Sequence, residues 1–516
     1  MKENINNSMK MVIVLLSVLF AVFASSLLLK VPISSNEAEN IELKGFKTEK
    51  SAISSYMVDV YDVIESNASD ECKGIVYGDD AYYTVQTKNK SGNADVLLIK
   101  WDQYGTQIWN RTWGGPGSDI PEEIYFDFSG YKHIWVLGSS DSWNSSNNML
   151  ILRYDQAGNL LGNATWGGPG NDVATVAVYE GSSDYFKILG YSNSWSTKDN
   201  IVALYWIYGA NDIGSCSLNH SWGDDLNNYH PVGGYSDIIA GNNFSTAIES
   251  QCEIFIMELN NDMTVINWNL SWSNSLVDRV IAMETKQSMI YLTGATEMNS
   301  GIPKLFLLQY YSTGVLWNET VFTEYSGGTG FTRDENYIYT VGFDQTGYAL
   351  WQWNDSCDLQ SNCSWTDGVS NNRGWGVQYH TGYNSFAVLG ETIMRESSGD
   401  TSLSILAIDS DNDGLGNVTE YQYATDPLDA DSDDDGLIDS VEVYIYSTNP
   451  NNWDTDGDSI GDKEEINAGT NPLDPNDPPD EIPGYSLSII GLVGIGCTIL
   501  FILQKKSQIR AIFKRK

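Results

Sequence analysis

A short apolar segment recurs seven times along this chain at a spacing of about 50 residues, and no other feature limits the fold as tightly. It reads Tyr82-Tyr-Thr-Val85, Ile134-Trp-Val-Leu-Gly138, Phe186-Lys-Ile-Leu-Gly190, Ile238-Ile-Ala-Gly241, Ile290-Tyr-Leu-Thr-Gly294, Ile338-Tyr-Thr-Val-Gly342 and Phe386-Ala-Val-Leu-Gly390. With Gln86 standing where the other copies have glycine, successive intervals are 52, 52, 51, 53, 48 and 48 residues. A second strand-like segment follows each copy: Val96–Asp102, Met149–Asp155, Ile201–Trp206, Glu253–Asn260, Lys304–Tyr311, Tyr348–Asp355 and Ser402–Asp409. A third, ending in an aromatic, occurs only six times, at Trp113, Trp166, Trp222, Trp272, Phe322 and Trp365.

Repeats of this length suit four-stranded blades, and radial closure leaves no long strand edge exposed. The missing seventh copy of the third strand is supplied by Tyr56–Ile64, which alternates as a strand should. The expectation is an all-β, seven-bladed β-propeller over residues 51–408, closed by a strand from the other end of the chain. The segments Trp113-Gly-Gly-Pro-Gly-x-Asp119 and Trp166-Gly-Gly-Pro-Gly-x-Asp172 resemble the seven-bladed propeller repeats of bacterial and archaeal secreted proteins. That resemblance spans roughly residues 70–408 and implies a fold, not an activity.

Immediately after the last blade segment comes an acidic run with a second, shorter period. Oxygen-bearing side chains occupy positions 1, 3, 5, 9 and 12 of three loops: Asp409, Asp411, Asp413, Asn417 and Glu420; Asp431, Asp433, Asp435, Asp439 and Glu442; Asp454, Asp456, Asp458, Asp462 and Glu465. Position 7, held by Leu415, Leu437 and Ile460, would add a backbone carbonyl. This is calcium-loop spacing, with the closing glutamate able to bind bidentately. An acidic run can be no more than a solvated linker, but composition alone would not fix the spacing three times. Nor would it repeat Thr425-x-Pro427, Thr448-x-Pro450 and Thr470-x-Pro472 in step. Residues 409–475 resemble thrombospondin type 3 repeats, which implies Ca2+ as the bound ion. The third loop departs from the pattern, because Gly457 comes before position 5 rather than after it as Gly414 and Gly436 do.

The formal net charge is -40. Between Asp409 and Glu481 lie 22 acidic residues against Lys463 alone, or -21, so about half the charge belongs to the repeats. Such a chain is no nucleic-acid binder; its partners are divalent cations and neutral or basic surfaces.

The two ends point to export. Residues 1–30 carry an apolar run, Met11–Leu29, preceded by Lys2 and Lys10, and Ala24-Ser25-Ser26 within it offers small residues for cleavage. They read as a signal peptide or as an uncleaved signal anchor. Past a linker at 476–484, Tyr485–Leu503 is an uncharged stretch of 19 residues, the length of a single transmembrane helix. The basic tail 504–516 places its own side in the cytoplasm. Pro483-Gly484 before the span and the basic cluster after it resemble the sorting signal of archaeal surface proteins. The expected localisation is the cell membrane, single-pass, with the bulk of the chain extracellular.

Six N-glycosylation acceptors sit just before the third-strand aromatics, at Asn110, Asn163, Asn219, Asn269, Asn318 and Asn362. A polar outer face explains their polarity but not a sequon in every copy. Of the six cysteines, Cys497 falls in the apolar span, and Cys357 and Cys363 flank a short loop as the best disulfide candidates. No catalytic motif stands out among the four histidines, His133, His220, His230 and His380. Asp119, Asp172, Asp278 and Asp334 could converge at a propeller mouth, although aspartate also initiates turns. The chain therefore reads as a calcium-stabilised surface protein whose head serves adhesion, binding of an extracellular glycan or protein ligand, or envelope structure. The alternative is a secreted glycan hydrolase or lyase using the propeller mouth.

Overall fold

The computed structural model describes Lys47–Thr48, Tyr56–Ile64 and residues 71–477 apart from a series of short loop segments. The expected export segment 1–30, the span 485–503 and the tail 504–516 lie outside the described residues, as do Pro483 and Gly484. Among the described residues no helix is long and apolar enough to cross a membrane. The chain divides into two units, Met1–Lys47 and Thr48–Lys516, and the architecture below belongs to the second.

Seven antiparallel sheets form the blades of a β-propeller. Blade 1 runs Glu71–Tyr77, Ala81–Lys88, Asp95–Asp102 and Gln107–Trp113 from the axis outward. Its second strand is buried at every position but the last and its third along Val96–Ile99 and at Trp101, as the continuous apolar runs of the sequence require. The described outer strands are mostly exposed or half-buried, with Asn110, Asn163, Asn219 and Asn269 exposed and Asn362 half-buried. Blade 7 consists of Asn372–His380, Ser385–Thr392 and Asp400–Ile408, completed by Tyr56–Ile64. That last strand pairs antiparallel from Tyr56↔Ile408 to Ile64↔Thr401. Ring closure is thus a strand exchange between the two ends of the propeller, which leaves neither end as an open edge.

The innermost strands are the ones the periodicity did not reveal. They are Glu71–Tyr77, Asp119–Phe126, Asp172–Val178, Asn227–Tyr235, Arg279–Lys286, Ser326–Arg333 and Asn372–His380. Each carries one β-bulge, at Lys73, Glu122, Thr175, Val232, Ile281, Thr329 and Trp375 respectively. An extra residue breaks the two-residue alternation, and glycine, proline and charge replace the apolar face. The recurrent glycine of the neighbouring strand lies against this bulge. A Cβ on Gly138 would fall on the Ile120 carbonyl oxygen, and one on Gly190 on that of Val173. The glycine that marked the repeat in the sequence is there because two backbones meet.

The expected Cys357–Cys363 disulfide does not form. Cys357 occupies the turn before the outer strand of blade 6, at φ 58°, with its Sγ 3.7 Å from Gln309 Oε1. Cys363 lies four residues into that strand, opposite Leu350. Four extended residues span about 13 Å, whereas bridged Cα atoms lie within about 7 Å.

Candidate metal-binding repeats and central channel

Past Ile408 the chain enters the repeats without a linker. Each is a loop followed by a short helix: α1 at Asn417–Tyr423, α2 at Asp439–Val441 continued by a π-turn at Glu442–Tyr446, and α3 at Asp462–Ala468. The residues at positions 1, 3 and 5 come together in all three loops. Their ligand oxygens lie within 4.8 Å of one another in Asp409/Asp411/Asp413, Asp431/Asp433/Asp435 and Asp454/Asp456/Asp458.

Backbone N–H groups hold these carboxylates. Position 6 donates to position 1, at 3.2 Å for Gly414 to Asp409, 2.9 Å for Gly436 to Asp431 and 2.8 Å for Ser459 to Asp454. Position 7 donates to position 5, at 2.7, 2.6 and 2.8 Å from Leu415, Leu437 and Ile460. Positions 4 and 6 both have positive φ in every loop: Asn412 and Gly414, Asp434 and Gly436, Gly457 and Ser459. The early glycine of the third loop therefore serves the other left-handed position of the same backbone, and Ser459 takes the place of the usual glycine.

Position 12 is fully buried in each repeat, as Glu420, Glu442 and Glu465. The Thr-x-Pro threonines, whose spacing the sequence showed without a role, bind at this point. Thr425, Thr448 and Thr470 each donate their backbone N–H to the carbonyl of the position-12 glutamate, at 3.0, 3.2 and 3.0 Å. Thr448 Oγ1 also donates to Glu442 Oε1 at 3.0 Å. They close the helix after a left-handed residue, Ala424, Ser447 or Gly469, and fix the glutamate beside its loop. Position 9 has hydrogen-bond partners within its own loop. Asp439 accepts from Ser432 N and Oγ, Asp462 from Thr455 N and Oγ1, and Asn417 from Ser410 Oγ. These side chains brace position 2 of the loop.

Nine buried oxygens in these loops have no hydrogen-bond partner: Asp409 Oδ1, Asp411 Oδ2, both Glu420 oxygens, Asp431 Oδ1, Asp433 Oδ2, Glu442 Oε2, Asp456 Oδ2 and Glu465 Oε2. They belong to positions 1, 3 and 12, three of the six expected ligand positions. In the third loop Asp454 Oδ1 instead accepts Gly457 N at 2.8 Å. Burial, followed by the charges of Asp411 and Asp413, pushes Glu420 up to about 8. Burial likewise takes Glu442 to about 8 and Glu465 to about 7. The protein alone does not solvate these carboxylates. An all-oxygen, multiply anionic set with unpartnered buried atoms fits a hard divalent cation such as Ca2+.

The repeats also bind one another and the head. Position 10 of one repeat reaches position 5 of the previous one, with Ser440 N 2.9 Å from Asp413 Oδ2 and Lys463 N 3.4 Å from Asp435 Oδ2. Val418 of α1 is fully buried in a core shared by blade 1 (Tyr82, Leu97, Ile99, Trp101) and blade 7 (Ala387, Leu403, Ile405, Ala407).

The aspartates that could have gathered at a mouth do not. Asp119 and Asp172 are buried turn caps, each accepting from the second glycine of its Trp-Gly-Gly motif, Gly115 at 2.7 Å and Gly168 at 2.8 Å. Each also accepts from a serine, Ser142 or Ser194, at 2.7 Å. Asp278 accepts from Ser273 and Thr296, and Asp334 from Asn336 N, Tyr337 N and the Tyr339 hydroxyl. None of the four lines the central cavity. That cavity, about 440 Å³, is lined by all seven bulged residues. Lys73 Nζ lies 3.1 Å from Glu122 and 3.6 Å from Glu71. His230 Nε2 lies 2.8 Å from Asp199 Oδ2, and its ring stacks on Tyr191 at 3.8 Å. Burial pushes Glu123 up to about 7.

This geometry defines a seven-bladed propeller that runs directly into three acidic loop–helix repeats. Residues 409–430, 431–452 and 454–475 each match the family described as Bacterial TSP3 repeat. Among solved structures the chain is similar to the polysaccharide lyase Uly1 (12% identity, TM-score 0.42, covering 65% of this chain and 89% of that one). It is also similar to Drosophila Plexin A in complex with Semaphorin 1b (9%, 0.40, 70% and 88%). A third is the β-propeller domain of the Trilobed protease from Pyrococcus furiosus (11%, 0.38, 66% and 94%). At such identities the likeness concerns fold alone. No curated protein matches the chain.

Proposed function

We propose that the chain is a calcium-stabilised surface protein, with a propeller head carried outside the cell on a stalk of three Ca2+-loaded repeats. Residues 485–503 anchor it in the membrane, and the basic tail 504–516 lies inside. The observation that carries this reading is the set of nine partnerless buried oxygens at positions 1, 3 and 12. When all three carboxylates of a loop are ionised within 4.8 Å of one another, each pair repels by about 1 kcal/mol in water. At the effective permittivity near a protein surface the figure is about 3–4 kcal/mol. A divalent cation converts that repulsion into coordination. The exposed sequons at Asn110, Asn163, Asn219 and Asn269 are compatible with glycans on the outer strands. The head then serves as the part that meets a ligand, a neighbouring cell or the envelope.

Calcium titration of residues 50–480 by calorimetry and circular dichroism tests the stalk. Saturation in the ~0.1–1 mM range of extracellular loops is expected, with a gain of ordered signal. No heat and no spectral change up to ~10 mM, an order above that range, refutes it. Protease treatment of intact cells tests the topology, since the head should be digested and the tail protected.

A further inference from the structure

The central channel has two unlike walls. Because each bulge turns one residue toward the axis, the seven blades present Lys73, Glu122, Thr175, Val232, Ile281, Thr329 and Trp375 in ring order. Two of these are committed to the fold. Thr175 Oγ1 donates to the Pro231 carbonyl at 2.8 Å, and Thr329 Oγ1 to the Gly374 carbonyl, each tying one blade to the next. The other five bulge residues are polar at blades 1 and 2, apolar at blades 4 and 5 and aromatic at blade 7, adjacent to blade 1, while His230 and Asn242 of blade 4 add polar groups to the lining. The polar group is already internally compensated, with Lys73 between Glu71 and Glu122. An incoming anion would meet the carboxylates Glu122 and Glu123 in a chain of net charge -40. An incoming cation would have to displace Lys73.

We propose that this channel binds an uncharged sugar ring, with the Trp375 indole against its apolar face and the Lys73–Glu122 pair on its hydroxyls. The cavity falls within the ~300–1,000 Å³ of small-molecule sites, which combine apolar walls with a few fixed polar groups. A paired ammonium and carboxylate offer donor and acceptor side by side, which suits vicinal hydroxyls. An indole supplies a large rigid face at low entropic cost. The inference rests on reading the head as the ligand-binding part of a surface protein and names the class of ligand.

The test uses the full chain in lipid nanodiscs with calcium present, titrated by calorimetry. The probes are maltotetraose, cellotetraose and chitotetraose as neutral ligands, with tetragalacturonate and the glucosamine tetramer as charged ones. At least one neutral sugar should bind saturably and both charged probes more weakly. Trp375→Ala should weaken binding at least tenfold, with Trp375→Phe between it and the wild type. Trp195→Ala, on an exposed indole outside the channel, should leave it unchanged. The Phe variant guards against misfolding, checked by its melting temperature. Three results overturn the proposal: no saturable neutral sugar, equal affinity in Trp375→Ala and wild type, or preference for a charged probe. The calcium transition of the repeats is measured separately on the same protein, so the two readings fail independently.

Discussion

Replacing Val418 by alanine tests whether head and stalk are joined by packing. Val418 belongs to the first repeat, yet its side chain is buried among eight residues from blades 1 and 7. The substitution removes two methyl groups, worth about 1.6 kcal/mol at ~0.8 kcal/mol per buried carbon. The surrounding sheets are hydrogen-bonded and cannot collapse onto the gap, so a cavity term brings the cost to about 2–3 kcal/mol. If the joint opens locally, that cost raises the open population roughly 30- to 150-fold, at tenfold per 1.4 kcal/mol. Hydrogen exchange read by mass spectrometry with calcium present should show this acceleration in 417–423 and the facing strand Asp400–Ile408. Leu428→Ala, at a position 79% exposed, is the control and should change nothing. Wild-type protection of 417–423 in Val418→Ala, or acceleration spread evenly over all seven blades, would refute a packed joint.

Three further outcomes follow from the same geometry. Asp409→Ala removes a position-1 carboxylate whose Oδ2 receives Gly414 N–H; it should cost one of three calcium sites in calorimetry and broaden the head-to-stalk distances seen by small-angle scattering. Deleting residues 50–66 strips the outer strand from blade 7, so the head should aggregate or melt well below the parent protein by scanning calorimetry. Without calcium, the repeats should be more stable near pH 5 than near pH 8: burial and neighbouring carboxylates raise Glu420 from 4.5 to about 8, so the folded state holds a proton that the unfolded chain releases, and stability falls as pH rises between those values. Denaturant melts with and without calcium check the sign, which should reverse when the cation replaces the protons.

Much of this architecture is a local matter and was therefore legible. The blade number follows from apolar segments that are buried on both faces and so stay continuous in sequence, as in Ile134–Ser140 and Asn148–Tyr154. Ring closure followed from counting, because six outer strands need a seventh and Tyr56–Ile64 alternates. Positions 1, 3, 5 and 12 of each loop were legible because a loop that wraps one point must place its oxygens at fixed spacing.

What tertiary structure decided lies where distant segments meet. The inner strands escaped notice because a bulge breaks their alternation, and only the ring of blades shows that Lys73, Glu122 and Trp375 share a channel. Spacing alone gave position 9 no partner within the protein, whereas in the fold Asp439 and Asp462 accept from the hydroxyls at position 2 of their own loops. Cys357 and Cys363 are near in sequence and far along a strand, since a tight turn is followed at once by extended chain. Val418 is an ordinary helix residue until blades 1 and 7 close around it. Spacing along the chain dictates which groups can share a loop, whereas burial against another blade or repeat settles which of them remain available to a ligand.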